Sequence, residues 1–277
     1  MVGAAERTKI DVNPRTPHTF KKTRWLLTAV TSLGVAVALV GCTAQSQAPG
    51  TPSAESSQAA TSSVAPIPTP SVSGELAYIP EPQLAESMAL WAKTQTGSKI
   101  TNDATLRAQI PAAEKWLAGI KVVPSECGLY GGGNLKDQLA ASVMSAVSLE
   151  EKTGGDLTIA SYPDLNELVA DVAAQQHLDK SCAKYSITSD GQSIKATMDT
   201  LNVKTLAPYA TGTLTTTQND GKESQQVAIR AIDGHIMITA TRWAAQDPSA
   251  AVRAATADVN AVLELLRERE AQATPSK

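Results

Sequence analysis

Histidine is the side chain that most often moves protons in hydrolases, and this sequence does not arrange it for that chemistry. His177 and His235 lie far apart in the chain, and no Gly-x-Ser-x-Gly or His-Glu-x-x-His motif is present. Asp164 and Glu167 could form a carboxylate pair, but their spacing before an apolar stripe is that of a helix capping box. We therefore expect no catalytic activity, no metal site and no cofactor.

A cysteine near the start of the chain lies in a setting typical of lipid attachment. Residues 25–40 form an uncharged run of 16 residues behind a basic segment, like the apolar part of an export signal, whereas a membrane span needs about 20 residues. Leu39-Val40-Gly41-Cys42 resembles the lipobox of bacterial lipoproteins, which implies cleavage before Cys42 and acylation of its thiol. The alternatives are an uncleaved N-terminal anchor and a signal that is cut without lipidation.

Composition divides the chain into three segments. Residues 1–41 are the predicted signal peptide, residues 42–74 a disordered Ser/Thr/Pro/Ala-rich tether, and residues 75–272 one extracellular domain. After residue 41 the chain has 18 Lys and Arg against 25 Asp and Glu, a net charge of −7, which disfavours nucleic acid as a partner. The expected partners are the membrane, through the lipid anchor, and an unknown ligand or protein of the cell envelope. The expected location is the extracytoplasmic face of the cell membrane.

With Cys42 assigned to lipid, Cys127 and Cys182 remain as an even pair. In an oxidising compartment a disulfide between them is the default, and by loop-closure entropy it would contribute roughly 4 kcal/mol. A Cys/His metal site is the competing interpretation. It is disfavoured because His177 is the only nearby histidine and no second close pair of ligands exists.

Apolar residues recur at helical spacing in four segments, which we predict to be helices. The first two cover residues 83–95 and 103–120, with a break or kink at Pro111. The third begins at the capping residue Asp164. The last runs over residues 248–269, capped by Asp247.

Residues 137–150 fit two structures. Leu139, Val143 and Val147 have helical spacing, while Val143, Val147 and Leu149 also fit one face of a strand. We favour a hairpin with a strand over residues 157–162, and the helix stays open as the alternative.

The pattern changes to period two between residues 184 and 243. Apolar residues alternate with polar ones, and the alternation is interrupted at three Asp-Gly pairs, Asp190-Gly191, Asp220-Gly221 and Asp233-Gly234. Asp-Gly between alternating runs is a strong hairpin signal. Together with the helices, this predicts an α+β fold in which an antiparallel meander carries helices on one face, in two layers.

The order of these features resembles surface lipoproteins of actinobacteria and, more loosely, the extracellular sensor domain of PknH-type receptor kinases. The matching positions are Pro124, Cys127, residues 157–163 and Cys182, with the capped helix between the last two. That domain has a second disulfide and a Trp/Cys signature, which this chain lacks. The resemblance implies a central antiparallel sheet, a cleft and a sensing or ligand-binding role, and it transfers no catalytic residue.

One strand presents short polar groups that suit a binding surface. Thr211, Thr213, Thr215 and Thr217 alternate along it, and we expect them to share a face with Gln225. Such groups form hydrogen bonds without strong charge, as a glycan, peptide or protein surface requires. A sheet face that is merely solvated is the alternative, and it is the commoner explanation of such a pattern. We therefore expect a ligand-binding or sensor-like lipoprotein. The alternatives are a cell-envelope hydrolase and a structural protein of the cell wall.

Overall fold

A computed structural model describes residues 73–128, 140–150, 154–189, 191–219, 221–244 and 247–273. Cys42, the predicted signal peptide and nearly all of the predicted tether lie outside these ranges. The helices of the described part are α1 (Glu81–Ala92), α2 (Asp103–Leu117), α3 (Leu165–Ser181) and α4 (Pro248–Ala273). None of them is both long enough and apolar enough to cross a membrane.

The strands of the described residues form one sheet of nine. They are β1 (Lys99–Thr101), β2 (Lys121–Val123), β3 (Val143–Ser148), β4 (Gly155–Ser161), β5 (Lys184–Ser189), β6 (Gln192–Leu201), β7 (Tyr209–Asn219), β8 (Lys222–Asp233) and β9 (Ile236–Trp243). Their spatial order is β1-β3-β4-β9-β8-β7-β6-β5-β2, and the neighbours are antiparallel. The predicted α+β class and the meander from β5 to β9 are confirmed.

The strand interpretation of residues 143–148 is correct, and residues 137–139 lie outside the described part. β3 pairs with β4, with Val147 opposite Leu157. Val147 is buried on one face of the sheet and Met144 on the other. Because both faces of this strand are covered, it lacks the simple alternation that would have separated strand from helix in the sequence.

The predicted break at Pro111 is wrong, because α2 runs through Pro111 without interruption. Proline removes one hydrogen bond from a helix interior. Packing offsets that loss, since Ile110 and Ala113 on either side of Pro111 are buried. The helix start is also secured, because the side chain of Asn102 accepts a hydrogen bond of 2.9 Å from the Thr105 amide.

Helices α1 and α4 cover what we call the first face of the sheet. The apolar stripe of α4, which includes Val259 and Leu263, packs with Val227 and Ile229 of β8 and with residues of α1. Asp247 caps α4 as predicted, accepting a hydrogen bond of 3.1 Å from the Ala250 amide. Of the two hydrophobic clusters formed by the described residues, this layer contains the larger.

Helices α2 and α3 pack on the opposite, second face of the sheet. Their buried side chains meet one row of the sheet, and the cluster contains Ile110, Ala113, Met144, Ala160, Tyr162, Leu168, Val172, Ile232 and Met237. Asp164 caps α3 as predicted, and its carboxylate accepts from the Asn166 amide at 2.8 Å. The C-terminal end of α3 is covalently fixed, since Cys182 follows it and lies 2.13 Å, sulfur to sulfur, from Cys127.

The beginning of the domain is fastened beside the β8–β9 turn. The Glu75 amide donates to Oδ1 of the buried Asp233 at 2.8 Å, and the His235 amide donates to the Leu76 carbonyl at 2.8 Å. Arg267 of α4 donates to the other Asp233 oxygen from Nε and Nη2, at 3.0 and 2.7 Å. One carboxylate therefore holds the N-terminal segment, the turn and the last helix together.

Candidate functional site

His177 and His235 occupy separate structural positions. His177 is exposed on α3, whereas His235 lies in the β8–β9 turn with Nδ1 2.6 Å from the Tyr162 carbonyl oxygen. That contact fastens the turn to the end of β4, which is a structural role. In the described ranges, no group of three or more His, Cys, Asp or Glu side chains is placed to hold a metal ion.

The four threonines share one face of the sheet as predicted, but the prediction that Gln225 shares that face is wrong. Thr215 and Thr217 pair directly with Gln226 and Ser224, and directly paired residues of an antiparallel sheet point to the same side. Gln225 instead pairs with Thr216 and donates to its hydroxyl at 3.3 Å. Gln225 therefore lies on the first face, one residue out of phase with the threonines of the second face.

The threonines continue across the sheet into a buried polar area. One row of directly paired residues crosses four strands, and it contains Thr158, Thr239, Arg230 and Thr211. A parallel row lies two residues further along each of the four strands, and it contains Asp156, Thr241, Ala228 and Thr213. We call the polar members of these two rows the polar floor. With strands about 4.8 Å apart, the floor is about 14 Å wide.

The polar floor adjoins the apolar cluster under α2 and α3. The row on one side of it holds Ala160, Met237, Ile232 and Tyr209, which belong to or pack against that cluster. Six of the seven floor residues are buried, and Thr211 is half-buried. The small side chains of Ala146 and Ala228 in the same rows are only half-buried, so solvent reaches the sheet beside the polar groups.

Arg230 is the central charged residue of the floor. It is 8 % exposed, and its Nη1 lies 3.7 Å from Oδ2 of Asp179 on α3. Burial lowers the pKa of Arg230, and Asp179, Tyr209 and Tyr162 oppose that shift. Its Nε–H has no hydrogen-bond partner in the described part of the chain. The neighbouring Thr158 hydroxyl is likewise buried without a partner there.

Two tyrosines connect the floor to α3. The Tyr162 hydroxyl donates to Oδ2 of Asp171 at 2.8 Å, and the Gln176 amide donates to the Tyr209 hydroxyl. Burial raises the pKa of Asp171 to about 6, although the hydrogen bond from Tyr162 acts in the opposite direction. Burial also raises the pKa of Tyr162 well above its usual value, so this hydroxyl stays protonated at neutral pH.

A second carboxyl of raised pKa lies at the other end of β4. The pKa of Asp156 is raised to about 6, because the effect of burial outweighs the opposing effect of a hydrogen bond with Ser148. Tyr162 lies six positions after Asp156, which is about 20 Å along an extended strand. Asp156 and the Tyr162–Asp171 pair therefore cannot act on one bond as acid and base, because such pairs lie within about 10 Å of each other.

The arrangement can donate and accept hydrogen bonds over a rigid surface, which is the chemistry of binding. Sequence reasoning identified Thr211 and Thr213 but missed Arg230, Asp156 and Thr158. The sequence does contain a signal for Arg230, since it is the one charged residue in the otherwise apolar run of residues 227–232 in β8. A charge in a central strand is seldom buried unless it is paired or functional.

The comparisons with known proteins concern the fold. No protein-family model matches the chain, and no curated protein matches its sequence. The extracellular domain of PknH from Mycobacterium tuberculosis is similar in structure, with 11 % identity, a TM-score of 0.45 and coverage of 69 % of this chain and 100 % of that one. An uncharacterised protein, the Rv0999 ortholog from Mycobacterium smegmatis, has 14 % identity and a TM-score of 0.37, with 68 % of this chain and 98 % of that one covered.

Proposed function

We propose that this protein is a lipid-anchored, extracytoplasmic binding module whose ligand lies on the polar floor. The lipobox-like sequence of residues 39–42 supports the anchor, and the predicted export signal supports the compartment. The observation that carries the binding role is that two of the four buried side-chain atoms without partners in the described residues, Arg230 Nε and Thr158 Oγ1, lie in one row of the sheet. Buried polar groups are almost always hydrogen-bonded, so each exception in a native fold calls for an explanation, and a ligand that bonds both groups would supply one here.

The polar floor is better suited to binding than to turnover. Its hydroxyls come from strands near the middle of the sheet, so they are held rigidly, as a recognition surface requires. The one carboxyl of the floor, Asp156, has its side-chain hydrogen bond with Ser148, and Thr241 contacts only the Asp156 backbone, so no floor threonine is paired with a base within the described residues. We therefore propose that the ligand is released unchanged.

The test is a thermal-shift screen of the mature chain against fragments of the cell envelope, namely glycans, peptides and peptidoglycan pieces. A ligand should raise Tm, and Thr213→Val should weaken the effect because it removes one floor hydroxyl while keeping the side-chain shape. Thr197→Val is the matched control, since Thr197 is exposed on the first face. A ligand that binds equally well to the Thr213→Val variant would place the site elsewhere.

The same samples test the hydrolase alternative. Each fragment that binds is incubated with the protein and analysed for products by mass spectrometry. If a fragment is converted by the parent but not by His177→Ala or His235→Ala, the protein is an enzyme and the binding-module proposal is wrong. Unchanged fragments would support the proposal.

A further inference from the structure

We propose that the group recognised on the polar floor is an oxyanion, a carboxylate or a phosphate carried by the ligand, and that Arg230 pairs with it. This inference rests on the proposed function and specifies the chemistry of the same site. It differs from the neutral ligand that the threonines alone suggest.

The buried positive charge of Arg230 has fewer hydrogen bonds and less counter-charge than a buried guanidinium requires. Asp179 supplies the only carboxylate paired with Arg230 among the described residues, at 3.7 Å, and the other Asp179 oxygen accepts from Gln175 at 2.8 Å. Arginine keeps its proton at neutral pH, so a positive charge stays in the sheet. A buried charge is costly unless it is paired and hydrogen-bonded.

A second buried arginine in the same sheet gives the comparison. Arg242 on the first face is also 8 % exposed, but Asp258 of α4 accepts from its Nε at 2.8 Å and lies 2.6 Å from its Nη2. The α4 carboxylate thus fully engages one side of that guanidinium. The corresponding Nε side of Arg230 has no protein partner within the described ranges, and an oxyanion would complete it as Asp258 completes Arg242.

The neighbouring groups suit the same ligand. Thr158 and Thr239 lie in the row of Arg230, on the next two strands, and hydroxyl groups donate readily to an anionic oxygen. The Tyr162 hydroxyl already donates to Asp171, so it does not compete for Arg230. A cationic ligand would be repelled by the Arg230 charge at the centre of the floor, and a neutral one would leave Asp179, at 3.7 Å, as the only carboxylate paired with it among the described residues.

The experiment follows the Nε–Hε resonance of Arg230 by ¹⁵N NMR in the mature chain. Sodium acetate, inorganic phosphate and neutral acetamide are titrated separately at ionic strength held constant with NaCl. The resonance is assigned by its loss in Arg230→Lys, which keeps the charge but lacks Nε–H. We expect acetate or phosphate to shift it to saturation, while acetamide and NaCl do not, and while the Arg242 resonance stays fixed.

Thr158→Val supplies an independent variant that keeps Arg230 intact. Loss of one hydrogen bond to an anion should weaken binding by about tenfold, whereas the exposed control Thr197→Val should bind as the parent does. Saturation by acetate alone would assign a carboxylate, and saturation by phosphate alone a phosphate group.

Two outcomes would overturn the inference. In the first, acetamide shifts Arg230 as strongly as acetate does, or a neutral envelope fragment binds the floor while neither anion does. The proposal of an oxyanion ligand is then wrong, but the proposed binding function is unaffected. In the second, neither the anions nor any envelope fragment perturbs the floor, and both proposals fail together.

Discussion

Asp156 links the stability of the fold to pH. Burial raises its pKa from 3.8 to about 6, so the folded state favours the neutral carboxyl. The stabilisation is complete below the unfolded pKa and is lost as pH rises through the folded value. The free energy of unfolding should therefore fall between about pH 4 and pH 7.

Asp156→Asn should remove this part of the pH dependence. At pH 7 the variant should be more stable than the parent by on the order of 2 kcal/mol, and at pH 4 the two should be nearly equal. Urea unfolding at both pH values measures the difference. Asp199→Asn, at an exposed position of β6, is the control. Parallel pH profiles for Asp156→Asn and the parent would contradict the prediction.

At the scale of elements, the disulfide restrains the sequence between β2 and α3. Cys127 and Cys182 are 55 residues apart, and closing a loop of that length removes entropy from the unfolded chain worth roughly 4 kcal/mol. Replacing both with Ala should lower the free energy of unfolding by about that amount in urea titrations. A non-reducing digest analysed by mass spectrometry should contain the linked pair, and two free thiols in the purified parent would contradict the bond.

Helix α2 offers a stabilising change. Pro111 is exposed and lies within the helix, where it contributes no amide hydrogen bond. Pro111→Ala should restore that bond and raise the free energy of unfolding by about 1–3 kcal/mol. Gln109→Ala, an exposed position two residues away, should change it far less. A destabilised Pro111→Ala variant would mean that the proline fits this helix better than alanine does.

These elements also show how far the sequence determines the structure. Asp-Gly turns and period-two alternation are local signals, and they predicted the hairpins of β5 to β9. The short edge strand β1 and the packing of α2 and α3 on the second face depend on contacts distant in sequence. The same is true of Pro111, whose local cost is outweighed by burial of Ile110 and Ala113. Within the floor, the two-residue alternation of β7 is enough to place Thr213 on a face of the sheet. The burial of Arg230 could not be predicted in this way, because it depends on α3, a helix distant in sequence that covers it.

At the scale of the whole molecule, Cys42 should determine where the protein resides. Cells fed labelled palmitate should incorporate the label into the parent but not into Cys42→Ala, which should be released to the medium. The Cys127→Ala/Cys182→Ala variant is the control, because Cys42 is then the only cysteine and the label should remain. Label that persists in Cys42→Ala would contradict acylation at this position.

The fastening of Glu75 and Leu76 to Asp233 has a mechanical consequence. In a chain anchored at Cys42 whose ligand is fixed in the cell envelope, tension would enter the domain at Asp233. Arg230 lies three residues away on the same strand, about 10 Å along β8. Strands β7 and β9 are hydrogen-bonded to β8 on either side, so a pull along β8 would strain many hydrogen bonds together in shear. The force between anchor and ligand would thus cross the last residues of β8, where Arg267 of α4 also holds Asp233.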